Sequence, residues 1–220
     1  MNTDNFLEWG AQLGTAFLET AIMCGIAIVL SVAVGTALGL FIFVTRDGLF
    51  LQNRTLNTVT GVLVNVLRSI PFVILLVLLI PLTKAIIGTA IGPYAAAVSL
   101  TVASTPFYAR LVESALCEVD RGVIEASRAM GISAQTIILR VLLPEALPGI
   151  LRGITITLIG LVSNSANAGM VGGGGVGDLA IRFGYYRYQT DVMITTVVLL
   201  IVLVQIIQIF GDYIARRAAK

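Results

Sequence analysis

Residues 21–44 read AIMCGIAIVLSVAVGTALGLFIFV, 24 consecutive positions without a charged side chain. Only Gly, Ser and Thr interrupt the apolar run, and membrane helices use these residues for close packing. A helical crossing of the hydrocarbon core needs about 20 apolar residues, so this stretch is long enough to span it. Within it Ser31, Gly35 and Gly39 recur every four residues, which places three small side chains on one stripe where a second helix can approach.

The rest of the chain carries the same message. Hydrophobic residues make up 57% and charged residues 12%, against about 45–50% and about 25% in soluble domains. One water-soluble core cannot hide that much apolar surface, whereas a lipid environment can. A formal net charge of +2, with no basic stretch interleaved with aromatics, gives no reason to expect nucleic acid. The amino terminus carries Asp4 and Glu8 and has no Lys or Arg before Arg46, so it lacks the basic region of a cleaved signal peptide. The first apolar segment is expected to persist in the mature protein.

The pattern predicts an all-α integral membrane protein with five transmembrane helices, at about residues 13–45, 57–82, 92–113, 150–171 and 190–212, in a single domain over 1–220. A polar connection is expected over 46–57. Arg68 interrupts the second span, and Ser69 and Pro71 beside it suggest a broken helix, in which the arginine either anchors the structure or meets substrate. A short turn is expected over 81–93 and a kink at Pro106. From Arg110 to Arg152 the density of charge predicts a helical loop in water, centred on 118–146 between helices three and four. The Gly172 to Gly175 run with Gly177 lacks a following Gly-Lys-Ser/Thr and reads as tightly turning backbone, not a phosphate cradle.

With five crossings the termini lie on opposite sides. An outside amino terminus puts Arg46, Arg54, Arg110, Arg121, Arg128, Arg140, Arg152, Arg216, Arg217 and Lys220 inside, and only Lys84, Arg182 and Arg187 outside. The predicted topology is therefore amino terminus outside and carboxyl terminus in the cytoplasm.

There is no histidine, and Cys24 and Cys117 lie far apart in or beside apolar segments, where both are expected to be buried small residues. No catalytic residue and no metal site is predicted. Five helices make a poor wall for a solute pathway unless a second copy of the chain supplies the other half. An active transporter of this kind must exploit an ion gradient or borrow an ATPase.

The central loop bears on that choice. Glu125, Ala126 and Ser127 are followed by three residues, Gly131, nine residues, and then Val141, Leu142, Leu143 and Pro144. This resembles the cytoplasmic EAA loop of binding-protein-dependent ABC importer permeases, whose usual pattern is Glu-Ala-Ala, three residues, Gly, nine residues, Ile, any residue, Leu-Pro. Physically, 125–130 can form a helical turn, Gly131 permits a reversal, Ser133 can cap a second helix and Pro144 is expected to stop it. The resemblance implies that Glu125, Ala126, Ser127, Gly131, Leu143 and Pro144 couple to an ATPase.

The whole chain is similar to the small five-helix methionine-importer permeases. Arg68 to Phe72, Gly172 to Asp178 with Leu179 and Ala180, and Phe210 to Asp212 carry that likeness. The likeness implies inward transport of D- or L-methionine, or both, across the bacterial cytoplasmic (inner) membrane. The implied partners are a second copy, two ATP-binding cassette subunits, a periplasmic or lipid-anchored methionine-binding protein and membrane lipid. No cofactor is expected in this chain, with ATP and magnesium in the partner ATPase. A permease for another amino acid or small polar solute, and an ion-coupled carrier, remain open alternatives.

One departure stands out. Where that family usually reads Ser-Tyr-Ser-Ala-Met-Ala-Gly, residues 163–169 read Ser-Asn-Ser-Ala-Asn-Ala-Gly. Asn164 and Asn167 lie three apart and share a helical face, and amides in a membrane helix need partners or water. Ser163, Asn164 and Asn167 are expected at a gate on the dimer axis, with Arg68 on the pathway; an interhelical hydrogen-bonded amide pair is the alternative.

Overall fold

A computed structural model describes the backbone of residues 3–219 and the side chains from Gly10 onward. Lys220, counted above among the inner cations, lies outside the described residues, as do the side chains of Asp4 and Glu8. The elements are α1 (Thr3–Val44), α2 (Arg54–Ser69), α3 (Phe72–Leu78), α4 (Ile80–Ile87), α5 (Pro93–Cys117), α6 (Arg121–Ala129), α7 (Ala134–Ile137), α8 (Leu143–Gly169), α9 (Gly175–Leu179) and α10 (Thr190–Ala218). Two π-helical stretches, Ile138–Leu142 and Ala180–Tyr185, join α7 to α8 and follow α9. Among the described residues there is no strand.

Four helical stretches, Gly10–Val44, Pro93–Cys117, Ala134–Gly169 and Thr190–Ala218, are long and apolar enough to cross a membrane. A fifth crossing results if α2 and α3 form one broken span. The break falls at Ile70 and Pro71, where the extended backbone of Pro71 (φ −56°, ψ 136°) ends one helix and starts the next, as the Arg68-Ser69-Pro71 cluster predicts.

One expectation is corrected. The 81–93 segment is not a plain turn: α4 occupies Ile80–Ile87, because Pro81 falls in the first helical turn, where no N–H is required, and Gly88 (φ 83°) then closes the helix. Pro106 lies inside α5 without breaking it.

The chain divides into two compact units. One comprises Leu30–Ser69, Thr105–Thr157 and Ile209–Lys220. Here the small-residue stripe does what its spacing predicts. Ser31 is fully buried, and a Cβ added at Gly39 would sit 2.5 Å from the Ala109 carbonyl oxygen and 2.8 Å from Val112 Cβ. Backbone contact between α1 and α5 therefore requires a residue without a side chain. Around it Phe43, Val44, Tyr108, Val112 and Leu116 form a core that also takes in Ile124 of α6 and Leu142, Ala146 and Ile150.

The other unit comprises Met1–Val29, Ile70–Ser104 and Leu158–Gln208. Its core gathers Met23 and Ala27 of α1, Leu76 of α3, Ala97 and Leu100 of α5 and Leu161 and Ala168 of α8. In α10, by contrast, Ile194, Val198, Ile201 and Ile206 are exposed, an arrangement suited to lipid and costly in water.

Cys24 is buried as expected, but Cys117 is exposed. It occupies the last position of α5, beyond the apolar stretch, and Arg46 Nη1 donates to its Sγ at 2.6 Å.

Candidate functional site: a helical knob, a charged node and a glycine loop

The loop between the third and fourth crossings is a two-helix knob whose shape follows from local chemistry. Asp120 caps α6 by accepting from Gly122 N at 2.8 Å. At the other end Ile132 N donates to Ser127 O (3.3 Å) and Gly131 N donates to Arg128 O (2.9 Å). This paired pattern requires a left-handed residue, and Gly131 supplies it at φ 77°. Ser133 then caps α7 by accepting from Thr136 N.

The helix does not stop at Pro144. The chain from Ala134 to Gly169 is one continuous helical stretch, because the widened turns of Ile138–Leu142 shift the register (Leu143 N donates to Ile138 O) just before the proline. A proline needs no N–H partner and its ring needs room behind it, and a π stretch supplies both. The second arm of the knob is thus the beginning of the fourth span.

Of the residues predicted for coupling, Glu125, Ala126 and Pro144 are exposed, Gly131 forms the exposed apex, Leu143 is half-buried and Ser127 is buried, its hydroxyl donating to Val123 O. Ile124 and Leu142 root the knob in the α5 core. Packed side chains thus join the knob to α5 and α8. Replacing Gly131 by alanine puts a Cβ in the left-handed region, at a cost of about 1–2 kcal/mol. We expect the variant to lower the thermal midpoint modestly; an unchanged midpoint would show that the left-handed closure at Gly131 carries no stability.

Beside the knob lies a charged node, at the point where the density of charge predicts the start of an aqueous loop. Arg110 and Glu113 instead lie within α5, in contact at 2.5 Å and largely buried. Arg110 Nη2 also donates to Gly61 O (2.8 Å) and Asn65 Oδ1 (3.0 Å) of α2. One guanidinium thus ties two helices together, and in a low-dielectric site each such bond is stronger than it would be in water. The only local signal is the i, i+3 spacing of opposite charges near the end of a span.

In the other unit, the glycine run is docked backbone to backbone. A Cβ at Gly173 would meet Ala168 O at 2.7 Å, and one at Gly177 would overlap the backbone of Ala166. Gly175 N donates to Glu19 Oε2 (2.7 Å) and Val176 N to Thr20 Oγ1 (3.0 Å). Two adjacent residues of α1 therefore cap the start of α9. Sequence reasoning assigned Glu19 no role, although an isolated acid beside an apolar run carries a signal, since ionisable groups at that depth need partners.

Ser163 is exposed and Asn164 and Asn167 are half-buried on α8. Among the described residues neither asparagine amide has a hydrogen-bond partner in this chain, so no intrachain pair accounts for them. Arg68 is exposed at the end of α2, its guanidinium 6.0 Å from the Phe107 ring. The structure brings Glu125, Ala126, Ser127 and Gly131 together on the knob and Ser163, Asn164 and Asn167 on one stretch of α8; Arg68 lies in the knob's unit and the asparagines in the other.

Residues 35–220 match the family described as binding-protein-dependent transport system inner membrane component. The Probable D-methionine transport system permease protein of Vibrio cholerae is 50% identical over 221 residues, 99% of this chain and 98% of that protein. The methionine import system permease protein of Bacillus subtilis is 49% identical over 173 residues, 79% and 78% of the two chains. Among solved structures, an inward-facing MetNI methionine ABC transporter is 45% identical and superposes with a TM-score of 0.94 over 100% of both chains. An amino acid ABC transporter crystallised with histidines is 19% identical with a TM-score of 0.80 over 99% of each chain, a likeness of fold alone.

Proposed function

The chain belongs to the binding-protein-dependent transport system inner membrane components, and we propose that it is the permease subunit of an ATP-driven ABC importer carrying methionine inward across the cytoplasmic membrane. The observation that carries this reading is the knob: two helical arms joined at Gly131, presenting Glu125 and Ala126 outward and rooted through Ile124 and Leu142 in the core of a membrane chain. Glu125, Ala126, Ser127, Gly131, Leu143 and Pro144 form the coupling element. Its exposed residues seat in the ATPase, and Ser127 and Leu143 hold its shape. ATP and magnesium belong to two ATP-binding cassette partners, and a solute-binding protein delivers cargo from outside.

Residues 1–220 act as one permease domain, with the coupling loop over 118–146 and the amino terminus outside. Two copies pair to enclose the pathway. The unpartnered amides of Asn164 and Asn167 support a position at the gate, where the second copy or water supplies their hydrogen bonds. Ser163 lines the same face. Arg68, exposed at the broken second span, reaches the pathway from α2.

The test is uptake of labelled methionine by proteoliposomes holding this chain with its ATPase and binding protein, and in parallel with Asn164→Tyr and Asn167→Met. We expect uptake that stops without ATP and that differs between the two preparations. A complex that assembles and hydrolyses ATP but takes up no methionine would remove the substrate assignment. Equal uptake and equal ATP turnover in the two preparations would take the asparagines off the gate.

A further inference from the structure

The turn between α1 and α2 and the first arm of the knob line an open cavity of about 430 Å³, which the coupling residue Glu125 borders and which no role above fills. Arg46, Arg54, Arg121 and Arg128 line it, against the carboxylates of Asp47 and Glu125. The arginines are not equivalent. Arg46 is engaged by Cys117 and lies 4.0 Å from Glu113, while Arg128 donates to Gly48 O and lies 4.9 Å from the Phe50 ring. Asp47 accepts from Gln52. Arg54 and Arg121 have neither a hydrogen bond nor an ion pair among the described residues. Two free guanidinium groups therefore stand on a concave surface, and their planar forks match the paired oxygens of a phosphate.

The position of the cavity narrows the ligand further. The buried Phe43, Leu116 and Ile124 back it, and it lies at the ends of α1 and α5, where the apolar spans give way to charge. A basic pocket at the ends of two apolar spans suits an anionic headgroup, and basic pockets on the cytoplasmic side hold anionic lipids. We propose that this cavity binds a phosphate ester, supplied by an anionic phospholipid of the inner leaflet, and that the bound phosphate bridges Arg54 at the start of α2 to Arg121 at the start of α6. The proposal rests on the cytoplasmic placement of the coupling loop.

The experiment is native mass spectrometry of the complete importer complex, taken from nanodiscs containing phosphatidylglycerol and phosphatidylethanolamine in equal parts. Arg54→Gln/Arg121→Gln is compared with the charge-matched control Arg216→Gln/Arg217→Gln, and a second arm adds inorganic phosphate alone. The cavity variant should retain about tenfold to thirtyfold less phosphatidylglycerol than the control, with phosphatidylethanolamine unaffected. If inorganic phosphate binds alone and displaces the lipid with the same dependence on the arginines, the phosphate site stands and its source is soluble. Equal retention by variant and control, or retention that appears only after the ATPase is stripped away, overturns the proposal, the latter by assigning the cavity to the protein interface. Assembly with the ATPase, followed by size exclusion, checks the placement of the loop independently, and a negative methionine assay leaves the lipid result untouched.

Discussion

Replacing Arg110 by alanine is expected to destabilise the protein by about 3 kcal/mol, at the lower end of what breaking a buried pair costs, because the buried Glu113 then keeps only the more distant Arg46, at 4.0 Å. The guanidinium holds Glu113 Oε2, Gly61 O and Asn65 Oδ1 at once, so its loss also releases α2 from α5. The measurement is the thermal or denaturant midpoint of the purified complex in detergent, with the yield of assembled complex as a second readout. A double variant, Arg110→Met with Glu113→Leu, should recover most of the loss in midpoint, since replacing both members of a buried ion pair by apolar residues is often close to neutral. It should not recover the tie to α2, which uses the guanidinium itself. Recovery of assembly as well as midpoint would show that the bonds to Gly61 and Asn65 add little. A loss below about 1 kcal/mol in the single variant would show that Glu113 reaches water and that the node is an ordinary surface pair.

Gly177→Ala is expected to have the second largest effect. A methyl group there overlaps the backbone of Ala166 on α8, and a helix backbone yields far less readily than the end of a flexible side chain. Overpacking of a close-packed site costs about 1–3 kcal/mol and more where nothing can move. The docking of the glycine loop is the feature at risk: Gly175 N and Val176 N reach Glu19 and Thr20 only while α9 lies against α8. Hydrogen exchange of the 172–179 amides should rise in the variant before global unfolding does. Gly160→Ala is the matched control on α8, with nothing within 4 Å of an added Cβ, and there alanine should be neutral or stabilising by up to about 1 kcal/mol. If both substitutions behave alike, the close approach at Gly177 carries no stability.

Both effects arise where folding sets helix against helix, and these are the places where the sequence was least informative. The features that the chain determined by itself are those whose physics closes within a few residues. The length of an apolar run sets the number of crossings, because it is matched against bilayer thickness and not against any other part of the protein. Asp120, Gly131 and Ser133 set the shape of the knob, since caps and left-handed closures bond residues two to five positions apart. The break at Pro71 belongs to the same class.

Only the tertiary structure decided the rest. Arg110 finds Gly61 and Asn65 at separations of 49 and 45 residues, and Glu19 finds Gly175 at 156. A charge at the end of an apolar run reads alike whether it enters water or a buried node, and the difference lies in which helix stands beside it. Pro144 shows the same limit at shorter range: a proline reads as a stop, but the widened turn before it lets one helix run from the knob into the membrane. Burial and partnership depend on the whole set of neighbours that folding assembles, so they become definite only when the chain is closed.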